Sequence, residues 1–152
     1  MSDEILQLVT FKLGNEEFGI DIKKVQEINR MIEITKIPNA PAHVEGVVNL
    51  RGKIVPIVSL RTKLGFEEVE RDKATRIMVV EIEGSVLGFI VDSVSEVLRI
   101  HDPKVEPTPS ITSGSDSMYI EGVINLSDRI LILLDLNTLF DTAALKGMKI
   151  AA

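Results

Sequence analysis

The chain contains no cysteine and no tryptophan, and only one tyrosine and five phenylalanines in 152 residues. Without thiols it has neither a disulfide framework nor a thiolate metal site, and it suits a reducing compartment such as the cytoplasm. Aromatic residues make up 4% of the composition, too few to suggest the stacking platforms of single-strand nucleic-acid binders. Positive charge is also scarce. Seventeen Lys and Arg face 23 Asp and Glu, for a formal net charge of -6, and no basic stripe could neutralise consecutive phosphates. No nucleic-acid partner is therefore expected, and anionic membrane surfaces are disfavoured. No apolar run approaches the roughly 18 residues of a membrane span. The start, Met1-Ser2-Asp3-Glu4, lacks the basic and apolar regions of a signal peptide. A soluble protein without direct membrane insertion is expected.

Signatures of catalysis are missing as well. From Gly46 to Lys53 there are five residues between the glycines and Ile54 follows the lysine. A phosphate loop needs four, and a hydroxyl after the lysine to meet magnesium. His43-Val44-Glu45 has the His-x-Glu of a zinc deaminase, but that site requires further thiolates. His43 and His101 are the sole imidazoles, so no metal or cofactor is expected. There is no Gly-x-Ser-x-Gly nucleophile elbow, and the carboxylates form no recognisable pair. Asn125-Leu126-Ser127 fits a glycosylation acceptor, which has no role in a cytoplasmic chain. The expectation is a binding protein, not an enzyme.

What the chain does have is 45% hydrophobic residues and an internal duplication. Val44-Glu45-Gly46-Val47-Val48-Asn49-Leu50 returns as Ile120-Glu121-Gly122-Val123-Ile124-Asn125-Leu126, and the match runs on to Leu60 and Leu136. Earlier, Val9, Phe11, Leu13, Gly19, Val25, Glu27 and Arg30 align with Met78, Val80, Ile82, Gly88, Val94, Glu96 and Arg99. The offset grows by seven residues between these blocks. The extra residues fall between His101 and Met118, a stretch rich in Pro, Ser, Thr and Gly that reads as an enlarged surface loop.

Each copy follows one pattern of short strands and tight turns. Val9, Phe11 and Leu13 alternate with Thr10 and Lys12, the period of a half-buried strand, and Gly14-Asn15 supplies turn chemistry before Phe18-Gly19-Ile20. Asp21 is suited to cap a brief helical turn carrying Ile22, Val25 and Ile28 on one side, with Asp92 placed likewise before Val94 and Val97. Arg51-Gly52-Lys53 and Ser127-Asp128-Arg129 are turns between strands. Pro56 suggests an edge or a bulge. Leu136, Leu139, Phe140, Ala143 and Ala144 have the spacing of an amphipathic C-terminal helix ending near Gly147. Glu67 to Ala74 is a charged connector between the copies. Short strands with tight turns favour small closed barrels, because closure removes exposed edges.

With Glu17-Phe18-Gly19-Ile20-Asp21-Ile22, Lys24-Val25-Gln26-Glu27-Ile28, Ile37-Pro38-Asn39-Ala40-Pro41 and Gly46-Val47-Val48-Asn49-Leu50-Arg51-Gly52-Lys53-Ile54-Val55-Pro56-Ile57-Val58 in order, the chain resembles the CheW family of bacterial chemotaxis coupling proteins from about Leu6 to Phe140. The resemblance implies an all-β fold with short helices: two tandem five-stranded SH3-like β-barrels from the internal duplication, plus a C-terminal helix. It implies one domain over residues 1–152, with lobes at approximately 15–75 and 84–136 and the N-terminal strand and C-terminal helix packing across or beside them. It also implies a scaffold, cytoplasmic and recruited to membrane-bound receptor arrays. Such a scaffold couples the cytoplasmic tip of methyl-accepting chemoreceptors to the regulatory domain of the histidine kinase CheA. The chain is too short to carry a kinase core or the receiver domain of the adaptor CheV.

On the same basis Val25, Glu27, Ile28 and Arg51 are the partner-binding candidates. Val25 and Ile28 correspond to receptor-facing positions, although their spacing suits core packing equally. Glu27 and Arg51 match a salt bridge that would position the recognition surface. Gly46, Gly52 and Gly122 suit the backbone at tight or crowded points, and Asn49 and Asn125 suit bonding to turn backbone. Functional asymmetry is expected where the copies differ, above all at Arg51-Gly52 against Ser127-Asp128. Two alternatives stand beside this reading: a coupling protein of a non-flagellar array governing surface motility, and a small-barrel nucleic-acid binder, which the charge and aromatic content disfavour.

Overall fold

Tight two-residue turns set the strand register. In the computed structural model, which describes residues 5–40, 43–106 and 119–140, β1 (Ile5–Leu13) and β2 (Glu16–Asp21) form a hairpin closed by Leu13 opposite Glu16. A single 3-10 turn, Ile22–Lys24, is capped by the Asp21 carboxylate and leads into β3 (Val25–Arg30). Next come β4 (Val44–Leu50), β5 (Lys53–Ser59) and the one-turn helix α1 (Leu60–Lys63). The second copy supplies β6 (Arg76–Ile82), β7 (Ser85–Val91), β8 (Ser93–His101), β9 (Ile120–Asn125), β10 (Ile130–Leu134) and α2 (Leu136–Leu139). Arg51 and Gly52, at φ 50° and 85°, make the two-residue turn between β4 and β5. Two positive φ values in succession give the twist that suits a hairpin, and glycine takes the second without strain.

The ten strands form two five-stranded sheets, in the orders β8-β1-β2-β10-β9 and β3-β6-β7-β5-β4. The sheets do not follow the lobes expected at 15–75 and 84–136. Strands between residues 25 and 91 make one sheet, and strands from 5–21 and 93–134 make the other. The two copies have exchanged hairpins. Copy one sends β1–β2 to join β8, β9 and β10 of copy two, and receives β6–β7 in return. The N-terminal strand is thus an integral member of a sheet, paired on both sides. The exchange buries both faces of β1 from Leu8 to Phe11 and of β6 from Ile77 to Val80, so the polar side expected of β1 survives at Lys12 but not at Thr10. Thr10, expected on such a face, is fully buried, and its hydroxyl donates to the Glu96 carbonyl at 3.0 Å.

Three apolar clusters result. Val48, Val55, Ile57, Ile77, Val79 and Ile90 fill the second sheet's barrel, and Leu8, Ile124, Leu131 and Leu133 fill the first. The largest cluster lies between the sheets and draws on both, including Phe11, Phe18 and Leu134 from one and Val58, Met78 and Phe89 from the other. α2 adds Leu136 and Leu139, followed by Phe140. α2 is a single turn: Phe140, expected within the amphipathic helix, is already extended at φ -112° and ψ 125° and ends it; Ala143, Ala144 and Gly147, and much of the expected loop between His101 and Met118, lie outside the described residues.

Each sheet closes at a glycine. The chain leaving β3 returns along β4, where Thr35 and Val47 exchange two backbone hydrogen bonds of 2.8 Å; Glu106 and Val123 do the same beside β9. A Cβ on Gly46 would stand 2.2 Å from the Thr35 carbonyl oxygen, and one on Gly122 would stand 2.7 Å from that of Glu106. Backbone cannot yield as a flexible side chain can, so these two glycines are places where only hydrogen fits. Pro56 lies opposite Val47 on β5. Although β5 is an interior strand, its pairing with β7 begins at Ile57, so the missing N–H removes no ladder bond from β7.

Gly46→Ala and Gly122→Ala should each destabilise the fold by at least about 1–3 kcal/mol, the usual cost of overpacking. The check is the denaturant midpoint, with Glu121→Ala, on the exposed side of β9 beside Gly122, as the comparison.

Candidate functional site

The rim of the second barrel carries a charged pair on an irregular edge. β3 pairs with β6 and shifts register between Val25 and Glu27, so that Gln26 is an extra residue. This bulge has a directional effect. Val25 lies opposite Val80 and Ile28 opposite Met78, both on the junction side, whereas Glu27 lies opposite Val79, which faces the barrel interior. Val25 and Ile28 therefore share a face, but through a bulged strand and not through the helical turn expected from their spacing. The helical segment is confined to Ile22–Lys24. Val25 is half-buried against the junction, while Ile28 is 39% exposed.

The Glu27 carboxylate meets Arg51 in a two-point contact. Arg51 Nη1 donates to Oε1 at 3.2 Å, Nη2 donates to Oε2, and Asn29 Nδ2 adds a bond of 2.7 Å to Oε1. The turn holds Arg51 in place: Gly52 N–H donates to Asn49 Oδ1 at 2.9 Å. The Arg51 side chain is 75% exposed and that of Glu27 22%. The guanidinium bonds, then the Asn29 amide, hold the Glu27 carboxyl below its ordinary range, and the same contact raises the Arg51 guanidinium. Of the candidates, the structure brings Glu27, Arg51, Gly52 and Asn49 together at one rim with Val25 and Ile28 beside them. Gly46 lies at the barrel closure.

The equivalent rim of the first barrel is built differently, and the sequence reading missed it. β8 has its own bulge at Ser95, the position equivalent to Gln26, between Glu96 and Val94. Glu96 accepts from Arg129 Nη2 at 3.0 Å. Arg129 also donates from Nε to Glu17 at 2.6 Å and from Nη1 to Asp128 at 3.0 Å. The Glu17 side chain is 8% exposed, so this pair is sunk into the barrel wall where Glu27–Arg51 stands at the surface. Asn125 accepts from Ser127 N–H at 3.0 Å, and Gly122 is at the closure. A Glu–Arg contact thus exists in both copies, and the difference lies in its burial. The repeat did hold a signal, since Lys53 and Arg129 are the same position and both basic.

A third group joins the barrels. Asp92 does not cap a helical turn as expected, because the chain runs from β7 straight into β8. Its carboxylate accepts from Gly14 N–H in the β1–β2 turn at 2.7 Å and from Arg61 Nε at 2.8 Å and Nη2 at 2.5 Å. Arg61, followed by the Gly14 bond, keeps Asp92 below the ordinary carboxyl range despite partial burial. His43 precedes β4 and His101 ends β8, in different sheets. Among the described residues there is no group of three or more His, Cys, Asp or Glu arranged to hold a metal ion, and no helix long and apolar enough to cross a membrane.

Residues 7–144 match the CheW-like domain. The chain belongs to that family. It is 40% identical over 136 residues to the chemotaxis protein CheW of Klebsiella aerogenes, covering 90% of this chain and 82% of that protein. Against the chemotaxis protein CheW of Treponema pallidum the identity is 36% over 152 residues, with coverage of 97% and 89%. The crystal structure of the scaffolding protein CheW from Thermoanaerobacter tengcongensis superposes with a TM-score of 0.82 at 38% identity, covering 92% of this chain and 90% of that one. The CheW-like chain described here is accordingly a member of a chemotaxis scaffold family, with the two SH3-like barrels of that fold.

Because the folded Glu27 pKa is depressed, the pair contributes to stability above the ordinary value of 4.5, and the contribution is lost as pH falls through the folded pKa. Arg51→Ala should raise the Glu27 pKa toward 4.5, read from the carboxyl carbon shift in an NMR titration; an unchanged midpoint would show that Arg51 does not govern this carboxylate.

Proposed function

We propose that the protein is a cytoplasmic adaptor that couples the tips of methyl-accepting chemoreceptors to the regulatory domain of the histidine kinase CheA, and that it does so without catalysis. The observation that carries this reading is the β3 rim, set within a chemotaxis scaffold fold. There the bulge at Gln26 puts the partly exposed Ile28 on the same face as Val25, next in sequence to a surface charge pair that is held at two points. A partly exposed aliphatic side chain, Ile28, near an oriented charge suits the apolar stripe and polar flank of an amphipathic helix, which is the form of a receptor hairpin.

Arg51 and Glu27 act here by positioning. Bidentate contact fixes the angle of the guanidinium, and the exposed remainder of that group is available to a partner. A scaffold of this kind works through geometry: a change in receptor packing alters how the kinase domain is held, and the two binding events affect each other reciprocally. Recruitment to membrane-bound arrays follows from the receptor contact. The net charge of -6 is a reason to prefer protein partners over nucleic acid. A role in a non-flagellar array rests on the same contacts and differs in the identity of the receptors.

The test is a three-component reconstitution with receptor fragments and the kinase. The native chain should enter the complex and change kinase activity. Arg51→Glu places two carboxylates together and should weaken assembly about tenfold or more, with the thermal midpoint little changed. A chain that neither joins the complex nor alters the kinase would refute the adaptor reading; a fully active Arg51→Glu variant would remove this rim from it.

A further inference from the structure

The exchange of hairpins leaves each copy unable to complete a barrel by itself. Within copies the ladders are hairpins: β1–β2, β4–β5, β6–β7 and β9–β10. The ladders that complete the sheets all run between copies, β1–β8 and β3–β6 antiparallel, β2–β10 and β5–β7 parallel. Each copy alone would therefore expose strand edges along its hairpins. The ladders specify a copy-one partner for copy two, but nothing in them requires that both belong to one chain.

That choice is made by the connector. Up to Arg71 the connector is fastened to copy one: Arg61 Nη1 donates to the Glu67 carbonyl at 2.7 Å, Ser59 bonds Glu68, and Arg71 pairs with Glu45. Copy two begins at Arg76 in β6. Between them, Asp72 to Thr75 folds back on itself. Thr75 N–H donates to the Asp72 carbonyl at 3.2 Å, Asp72 N–H to Thr75 Oγ1 at 3.0 Å and Ala74 N–H to Asp72 Oδ1 at 2.8 Å. Arg76 Nη1 braces the turn through the carbonyls of Lys73, at 2.7 Å, and Thr75, at 2.9 Å.

We propose that a second copy of this chain is a partner, bound by exchange of repeats about the Asp72–Thr75 turn. With the turn closed, the chain is a two-barrel monomer. With the turn extended, copy one of each chain assembles with copy two of the other, giving two complete two-barrel bodies joined by two hinges. Every sheet ladder and apolar cluster is regained in the dimer, so the balance rests on the few bonds of the turn and on protein concentration. Such a dimer carries two β3 rims, one from each chain, tethered through the two hinges, and this proposal stands whether or not those rims bind receptors.

The absence of cysteine makes the test direct. Gln7 and Arg99 face each other across β1 and β8, on different copies. Gln7→Cys and Arg99→Cys chains are unfolded together, refolded over a range of concentrations and oxidised. Exchange should yield a disulfide joining the two chains, in an amount that rises with concentration, whereas the same chains mixed after separate folding should give none. Deletion of Lys73 and Ala74 removes the length needed to turn back and should give a dimer by light scattering, with a native circular dichroism spectrum and the interchain disulfide. A deletion variant that is a natively folded monomer, or a dimer without that disulfide, would overturn the proposal. If the deletion fails to fold, Asp72→Ala with Thr75→Val keeps the length and loses turn bonds. It should move the monomer–dimer equilibrium at least about tenfold toward the dimer; an unmoved equilibrium would also overturn the proposal.

Discussion

The apolar junction between the two sheets is the constraint on which the rest of the structure depends. Phe11, Phe18, Phe89 and Phe140 run through it as a chain of ring contacts, with centroids 5.8 Å apart for Phe11–Phe18 and 5.7 Å for Phe11–Phe89 and Phe89–Phe140. These rings come from strands of both copies and from the segment after α2. Burial on this scale is the main favourable term in folding, and here it cannot be obtained by either copy alone. The exchanged hairpins also make β1 and β6 serve two cores at once, one inside a barrel and one at the junction.

This constraint determines what is free to serve function. With most β1, β2, β6 and β7 side chains committed to the interior, chemistry is left to the bulged strands β3 and β8 and to the hairpin turns at the rims. Duplication gives the two rims the same backbone, including equivalent bulges at Gln26 and Ser95. The side chains then make them unlike. Arg129 is drawn into the wall by the buried Glu17, while Arg51 stands on the surface with Glu27 and Asn29. A symmetric framework thereby presents one rim that is closed on itself and one that is open to contact.

Local features of this fold were legible in the sequence, and long-range ones were not. Gly14-Asn15 and Arg51-Gly52 announce their hairpins because turn chemistry acts over two residues. The repeat itself gives four of the five strands in each copy and the crowded glycines, while β3 and β8 stand where helical turns are expected. It cannot say which copy pairs with which, because equivalent strands have similar apolar residues and the deciding ladders join residues far apart, as Leu8 does with Leu98. Val25 and Ile28 show a subtler ambiguity: three-residue spacing is the mark of a helical turn, and a one-residue bulge in a strand produces the same shared face. Glu17 and Arg129 lie 112 positions apart, and nothing local to either signals the contact. Asp92 resembles a cap but serves as a tie between the barrels, since its partners Gly14 and Arg61 are remote in sequence.

If the exchanged hairpins make the two barrels one cooperative body, neither should open without the other. Native-state amide hydrogen exchange, carried out where exchange reports the free energy of opening, tests this most directly. The slowest amides of Phe11 and Leu131 in the first sheet should exchange with the same opening free energy as those of Ile57 and Met78 in the second. A distinctly lower value for one sheet, with the other still protected, would contradict the account.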